Sequence, residues 1–280
     1  MWSVNRPAMD AGEVFSTCIS KVRNRALRES LREVKPSVEA AAHDYAVKAD
    51  DSELHLLPQH SVIGTLSGTE LVKTYESRMV NKTGPGRPIY DQLRLLPEGN
   101  RCPYCDHRNV STLDHVLPKE DYPVFAVTPD NLVGACAECN LVKASVIPTT
   151  GSENLIHPYF DELGEYQWLR AEVIEETPAA VVFFTQLREE WSDELNDRVS
   201  NQFALFQLAE LYASQAAREI ADIRHNLLRH YETGGLVAVR DELSYQRESR
   251  ERNRINSWQT ATYQALEESD WFCDGGFASM

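Results

Sequence analysis

The chain lacks any apolar run approaching the ~20 residues of a membrane-spanning helix, which excludes a helical membrane protein. Its first residues, MWSVNRPAMDAGEVF, hold no basic segment followed by an apolar one. No secretory leader is read there, and a cytoplasmic location with reduced thiols is expected. Internal repeats and low-complexity tracts are absent as well, so ordinary globular units are expected. A basic surplus is also missing: net charge is −15, whereas phosphate binding draws on Lys and Arg. The deficit is uneven. Residues 1–77 hold 9 basic and 11 acidic groups, 78–147 hold 8 and 8, 148–200 hold 3 and 12, and 201–280 hold 8 and 12. The acidity therefore belongs to the flanks of a neutral middle. That middle permits nucleic-acid binding, and its balance fits a protein whose partner supplies part of the grip.

What is present describes a soluble-type globular chain, with 42% hydrophobic and 25% charged residues over 280 positions. Chains of this length bury roughly 75% of their unfolded surface, so core formation needs no disulfides. Residues 12–34 carry Val14, Phe15, Cys18, Ile19, Val22, Leu27 and Leu31 at helical spacing and predict one helix. Pro36 interrupts it, and 37–48 predicts a second helix capped by Ser37. A turn-rich stretch, 50–67, precedes a helix over 69–79, and NKTGPGRP at 81–88 predicts a loop. Past Pro158, two runs of β-formers around Thr177 and Pro178 predict a hairpin. Helical periodicity returns over 191–231, breaks at Gly234 and Gly235, and resumes over 236–268.

Six cysteines are distributed tellingly. Cys102-Pro-Tyr-Cys105 and Cys136-Ala-Glu-Cys139 are C-x-x-C pairs separated by 30 residues. Each pair presents two thiolates from one tight turn, and two such turns make a closed, structural Cys₄ zinc site. A redox C-x-x-C would need only one pair. The separation exceeds that of a simple zinc ribbon, so something is inserted between the knuckles. Cys18, on an apolar helix face, and Cys273, near the tail, read as inert thiols.

The insertion delivers Asp114-His115 after a short run of β-formers, then Pro118, Asn131 and Leu132, with Asn140 and Lys143 directly after the second knuckle. Phosphodiester hydrolysis requires an activated water and a cation on the scissile phosphate. Histidine supplies a base near neutral pH, and a carboxylate and an amide oxygen offer hard ligands for Mg²⁺ or a similar ion. Neighbours on a strand point to opposite faces, so a turn or bulge at 114–116 is expected.

The order C-x₂-C, hydrophobic-Asp-His-x-x-Pro, Asn-Leu, C-x₂-C-Asn-x-x-Lys resembles the HNH endonuclease family, whose module is two strands and a helix around one metal. The resemblance implies that His115 is the general base and that Asp114 and Asn140 hold the catalytic divalent metal. Asn131 would brace the loop bearing the histidine through backbone hydrogen bonds. Asn140 stands where strict HNH letters have histidine, leaving one anionic ligand. Lys143 is expected to meet a substrate phosphate, and the products to carry 5′-phosphate and 3′-hydroxyl ends. The wider string from IYDQLRLLPEGNRCPYC to HPYFDE resembles the HNH component of Septu-type anti-phage defence systems, which works beside an ABC/SMC-type ATPase. The implied fold is α+β and mainly helical: a helical region at 1–88, a central ββα-metal module at 89–162 stapled by the Cys₄ zinc, and a β-hairpin followed by long helices at 163–280. DNA is the expected substrate.

Plainer readings stand beside these. An isolated Asp-His pair is ordinarily a capped turn; its setting between two knuckles favours catalysis. A non-catalytic zinc-ribbon adaptor that binds nucleic acid or protein is the rival function. His107 is expected to be exposed and His157 to pack the chain against the module. Lys119 is offset by Glu120 and Asp121, and the sign-alternating run RESRERNR at 247–254 reads as a solvated helix. The aromatic tail, Trp271, Phe272 and Phe277, is read either as a cap on the fold or as a partner contact.

Overall fold

A computed structural model describes residues 2–59, 61–144, 146–163 and 166–278. The protein is α+β and mostly helical, with short antiparallel strand pairs, and divides into two compact units, Met1–Leu163 and Gly164–Met280. Among the described residues no helix is long and apolar enough to cross a membrane.

In the first unit the expected helix over 12–34 is two: α1 (Ala11–Ile19) and α2 (Arg25–Glu33). Asp10 caps α1 by accepting from Glu13 N (2.8 Å), and Asn24 restarts the helix by accepting from Leu27 N (3.1 Å). Pro36 does not interrupt. It lies in the first turn of α3 (Lys35–Asp50), where its missing N–H has no helical partner to lose, so α3 starts before the expected Ser37 cap. The tiny ribbon β1 (Val62–Ile63) and β2 (Leu66–Ser67) leads into α4 (Gly68–Glu76). The loop expected through residue 88 ends sooner, because Pro88 opens α5 (Arg87–Arg94) in the same first-turn fashion. Two strands, β3 (Thr112–His115) and β4 (Leu132–Ala135), pair antiparallel with Asp114 opposite Val133 and His115 opposite Leu132. Helix α6 (Ala137–Lys143) follows directly. Gly134 allows a close approach: a Cβ there would meet Pro97 Cγ at 3.0 Å and Arg94 O at 3.2 Å, where the end of α5 lies on β4.

The second unit begins with the hairpin β5 (Leu169–Ile174) and β6 (Ala180–Thr185), then α7 (Asp193–Leu205), α8 (Leu208–Glu251) and α9 (Trp258–Glu268). Val181 and Phe183 on one face of β6 are buried, while Val182 and Phe184 on the other are exposed. Each inward side chain contributes roughly 1.5–3 kcal/mol of burial. The span of α8 is two helical arms that meet at a kink, and the chain doubles back there. Asn226 Nδ2 donates to Glu242 Oε1 at 3.2 Å, a separation of 16 residues that a straight helix would spread over ~24 Å. The reversal sits at Gly235, with φ 60° and ψ −151°, a conformation only glycine adopts comfortably. The break expected at the paired glycines is thus a helical hairpin. Within the 247–254 run, Arg247 pairs with Glu251 and Glu267, Arg250 with Glu219 and Arg252 with Glu248. Phe272 and Phe277 are wholly buried, so the aromatic tail caps this unit.

Candidate functional site

The four cysteines converge. Sγ atoms of Cys102, Cys105, Cys136 and Cys139 lie within 4.8 Å of one another, all buried. A tetrahedral zinc with Zn–S of about 2.3 Å sets its sulfurs about 3.8 Å apart, and Cys105 Sγ is 4.0 Å from Cys136 Sγ. Both turns are preformed. Cys102 N donates to Arg108 O (2.9 Å) and Arg108 N to Cys105 Sγ (3.5 Å), with Asp106 in the left-handed region at φ 47°. Cys136 is the N-cap of α6, its sulfur accepting from Cys139 N at 3.3 Å. Crowding makes the thiols share protons: hydrogen bonds from Cys102 hold Cys105 well below the ordinary thiol range and push Cys139 well above it. A divalent cation would replace those protons, and a donor set of four thiolates fits structural zinc.

The knuckles frame a second cluster. Because α6 starts at the second knuckle and β3 lies against it, Asn140 faces the end of β3, donating from Nδ2 to Thr112 Oγ1 and Leu113 O (both 3.3 Å). Its Oδ1 makes no hydrogen bond among the described residues. Asp114 and His115 are both buried and both line an open pocket of about 330 Å³, together with Pro118, Lys119, Glu120, Asn140 and Ala144. The chain leaves β3 immediately after His115 and bends at Val116 and Leu117, which lets adjacent residues serve one pocket.

Asn131, wholly buried, holds that bend. Its Oδ1 accepts from Leu117 N (2.7 Å), and its Nδ2 donates to Leu117 O (3.0 Å) and Phe125 O (3.3 Å). His115 Nε2 lies 2.9 Å from Ala126 O. A carbonyl only accepts, so Nε2 carries the proton and Nδ1 keeps its lone pair. Burial pushes the imidazole pKa down to about 3, which keeps the ring neutral at physiological pH. The Tyr75 ring packs edge-on against it, centroids 4.4 Å apart.

Asp114 accepts from the Tyr104 hydroxyl at Oδ2 (2.8 Å) and pairs with Lys143 Nζ at Oδ1 (3.4 Å). Burial raises its pKa, and Lys143 and Tyr104 oppose that rise. Lys143 is corrected here. It is fully buried, its ammonium bound to His115 O and Asp114, so it is an internal brace rather than a phosphate contact. One turn past Asn140, its Nζ lies within reach of the end of β3. Lys119 lines the pocket but is paired with Glu76 and Glu120. His157 packs as expected, and His107 is half-buried instead of exposed. Cys18 and Cys273 are buried, with Cys18 pushed up to about 12 by desolvation. Tyr104, Tyr75 and the Ala126 carbonyl were not legible in advance as parts of the site. Of these, only Tyr104 carried a signal, its place inside the first knuckle.

Protein ea31 of Escherichia phage lambda is similar to this chain, 27% identical over 292 aligned positions that cover 96% of this chain and 98% of that one. No family model matches the chain. No solved structure matches it.

Proposed function

We propose that the chain is a metal-dependent HNH-type endonuclease acting on nucleic acid, most simply DNA. The observation that carries this is the tautomer of His115. Nε2 is committed to Ala126 O, so a neutral imidazole offers Nδ1 beside a pocket that Asp114 and Asn140 also line. Nδ1 takes the proton of an attacking water, and the hydrogen bonds of Asn131 keep the bend after β3 from rotating the ring away. Asp114 and Asn140 Oδ1 would hold a divalent cation, whose chemistry is to polarise the scissile phosphate. The donor set fits a hard ion, one carboxylate and one amide oxygen. Burial raises the Asp114 pKa, and Lys143 opposes that rise in favour of the charged form.

The test is cleavage of plasmid and oligonucleotide DNA by purified protein with Mg²⁺ or Mn²⁺. His115→Ala is expected to lower the rate about 10²–10⁴-fold without unfolding the protein. Metal-dependent cleavage by that variant at the wild-type rate overturns the mechanism. The same assay with and without an ABC/SMC-type ATPase tests the further proposal, carried by the resemblance of residues 90–161, that the nuclease serves an anti-phage complex. One observation favours the adaptor reading: Asp114 already has a cationic partner in Lys143. That reading expects zinc but no second metal, and no cleavage from any preparation.

A further inference from the structure

The first unit pairs many of its cations: Arg6 with Asp130, Lys73 with Glu70, Arg87 with Asp91, Lys119 with Glu76. Lys21 and Arg78 differ. Neither has a carboxylate in ion-pair range among the described residues, yet both line one pocket of about 180 Å³ between the end of α1 and the loop after α4. Ser77, Asn81 and Thr83 add hydroxyl and amide groups, and no acidic residue lines it. Arg78 Nη1 is buried without a hydrogen-bond partner, and desolvation lowers the guanidinium pKa. A half-desolvated cation whose counter-charge, Glu70, acts only from beyond ion-pair range is costly, and an oxyanion relieves that cost.

The loop is set before any ligand arrives. Gly86 N donates to Arg78 O (3.0 Å), Gly84 N to Asn81 O (2.8 Å), and Thr83 N to Asn81 Oδ1 (3.0 Å). A Cβ on Gly84 would come within 2.2 Å of Arg78 O, so only glycine lets the loop close on the helix end. The place also matters. Tyr75 packs on His115, Glu76 pairs with Lys119 of the catalytic pocket, and Ser77 and Arg78 come next in the chain. Two pockets therefore flank one end of α4.

We propose that the pocket of Lys21, Arg78, Ser77 and Thr83 is a phosphate subsite for the backbone of the nucleic-acid strand whose scissile bond lies at His115. It rests on the nuclease reading for its ligand and answers the missing basic surplus: the grip comes from two cations with no carboxylate in ion-pair range among the described residues, both outside residues 89–162.

The test is binding of a fluorescein-labelled DNA duplex in EDTA, followed by anisotropy across a salt series. Lys21→Gln and Arg78→Gln are each expected to weaken binding about tenfold and to lower the slope of log affinity against log salt by about 1. Arg25→Gln, which removes an exposed cation already paired with Glu29, is expected to change neither. Lys21 is exposed, so Lys21→Gln folds; wild-type affinity and slope in that variant overturn the proposal. A second arm compares thermal midpoints in inorganic phosphate and in chloride at equal ionic strength. A phosphate-specific rise that Arg78→Gln abolishes, with no DNA binding by wild type, moves the pocket to a free phosphate or nucleotide and overturns the strand assignment. No phosphate rise and no DNA effect overturn the site altogether. These readouts need no catalysis, so the two failures are distinguishable: a protein that binds DNA through Lys21 and Arg78 but never cleaves refutes the nuclease reading and the scissile bond at His115, while the pocket keeps its backbone-phosphate ligand.

Discussion

The region around His115 and the region around His157 bury one imidazole each, 9% and 1% exposed, and use them in opposite ways. His157 has both ring nitrogens engaged: Nδ1 accepts from Tyr159 N at 3.2 Å, so Nε2 carries the proton and faces the Tyr45 hydroxyl at 3.1 Å. Tyr45, Tyr159 and Phe160 close around the ring, and no lone pair is left over. Among the described residues His115 engages Nε2 alone, and the residue lines an open pocket. Burial therefore does not separate a candidate base from a structural bolt. The number of committed ring nitrogens does.

Zinc removal breaks the comparison most severely. The second knuckle joins β4 to α6, and the first precedes β3, so the His115 region depends on the cysteine cluster. Structural zinc contributes roughly 10–16 kcal/mol of binding energy in small modules, comparable to the whole folding surplus of a typical domain, about 5–15 kcal/mol. A chelator strong enough to extract it is expected to abolish cleavage and to raise amide exchange across 102–143, while α9 stays protected. Unchanged exchange in 102–143 after the metal is lost shows that packing alone holds the module.

Next in size is His157→Ala. It leaves the Tyr45 hydroxyl and Tyr159 N–H unpartnered and opens a void beside Phe160. The expected loss is about 2–4 kcal/mol of stability, read from denaturant midpoints, with cleavage per folded molecule kept within a few-fold. His115→Ala should show the reverse, intact folding and lost chemistry. A folded His157→Ala protein as inactive as His115→Ala destroys the distinction between the two regions.

Much of this was legible in residue spacing, and the misses share a cause. The two C-x-x-C pairs are local patterns whose spacing encodes a turn, so their convergence followed from the chain. Bends and caps set by one side chain were harder. Asn24 splits a periodic helix that apolar spacing alone runs together, and Pro36 and Pro88 start helices where a breaker was expected, because proline differs only by position in the turn. Lys143 was misjudged for a related reason. A lysine one turn past a metal ligand faces substrate if the helix face is open, and faces Asp114 if β3 covers it, which only tertiary packing decides. The Ala126 carbonyl that fixes His115 lies eleven residues away and has no side-chain signature, so no motif reports it.

The smallest expected effect belongs to Tyr104, the residue that ties the cysteine cluster to the pocket. It lies between Cys102 and Cys105 and donates its hydroxyl to Asp114 Oδ2, with both groups buried. Burial raises the Asp114 pKa, and the hydrogen bond from Tyr104 supports the ionised form that a cation requires. Tyr104→Phe keeps the ring in the core and removes only that donor, so stability should fall by about 1 kcal/mol. Groups that orient a metal ligand typically shift metal affinity 10–100-fold, and the lower end applies because Lys143 still holds Oδ1. The half-saturating Mg²⁺ concentration should therefore rise about tenfold, with the rate at saturating metal near wild type. A loss of rate that no metal concentration restores means that Tyr104 orients more than Asp114. An unchanged metal requirement means that Lys143 alone keeps the carboxylate ready, and that His115 is served by a site held from one side only.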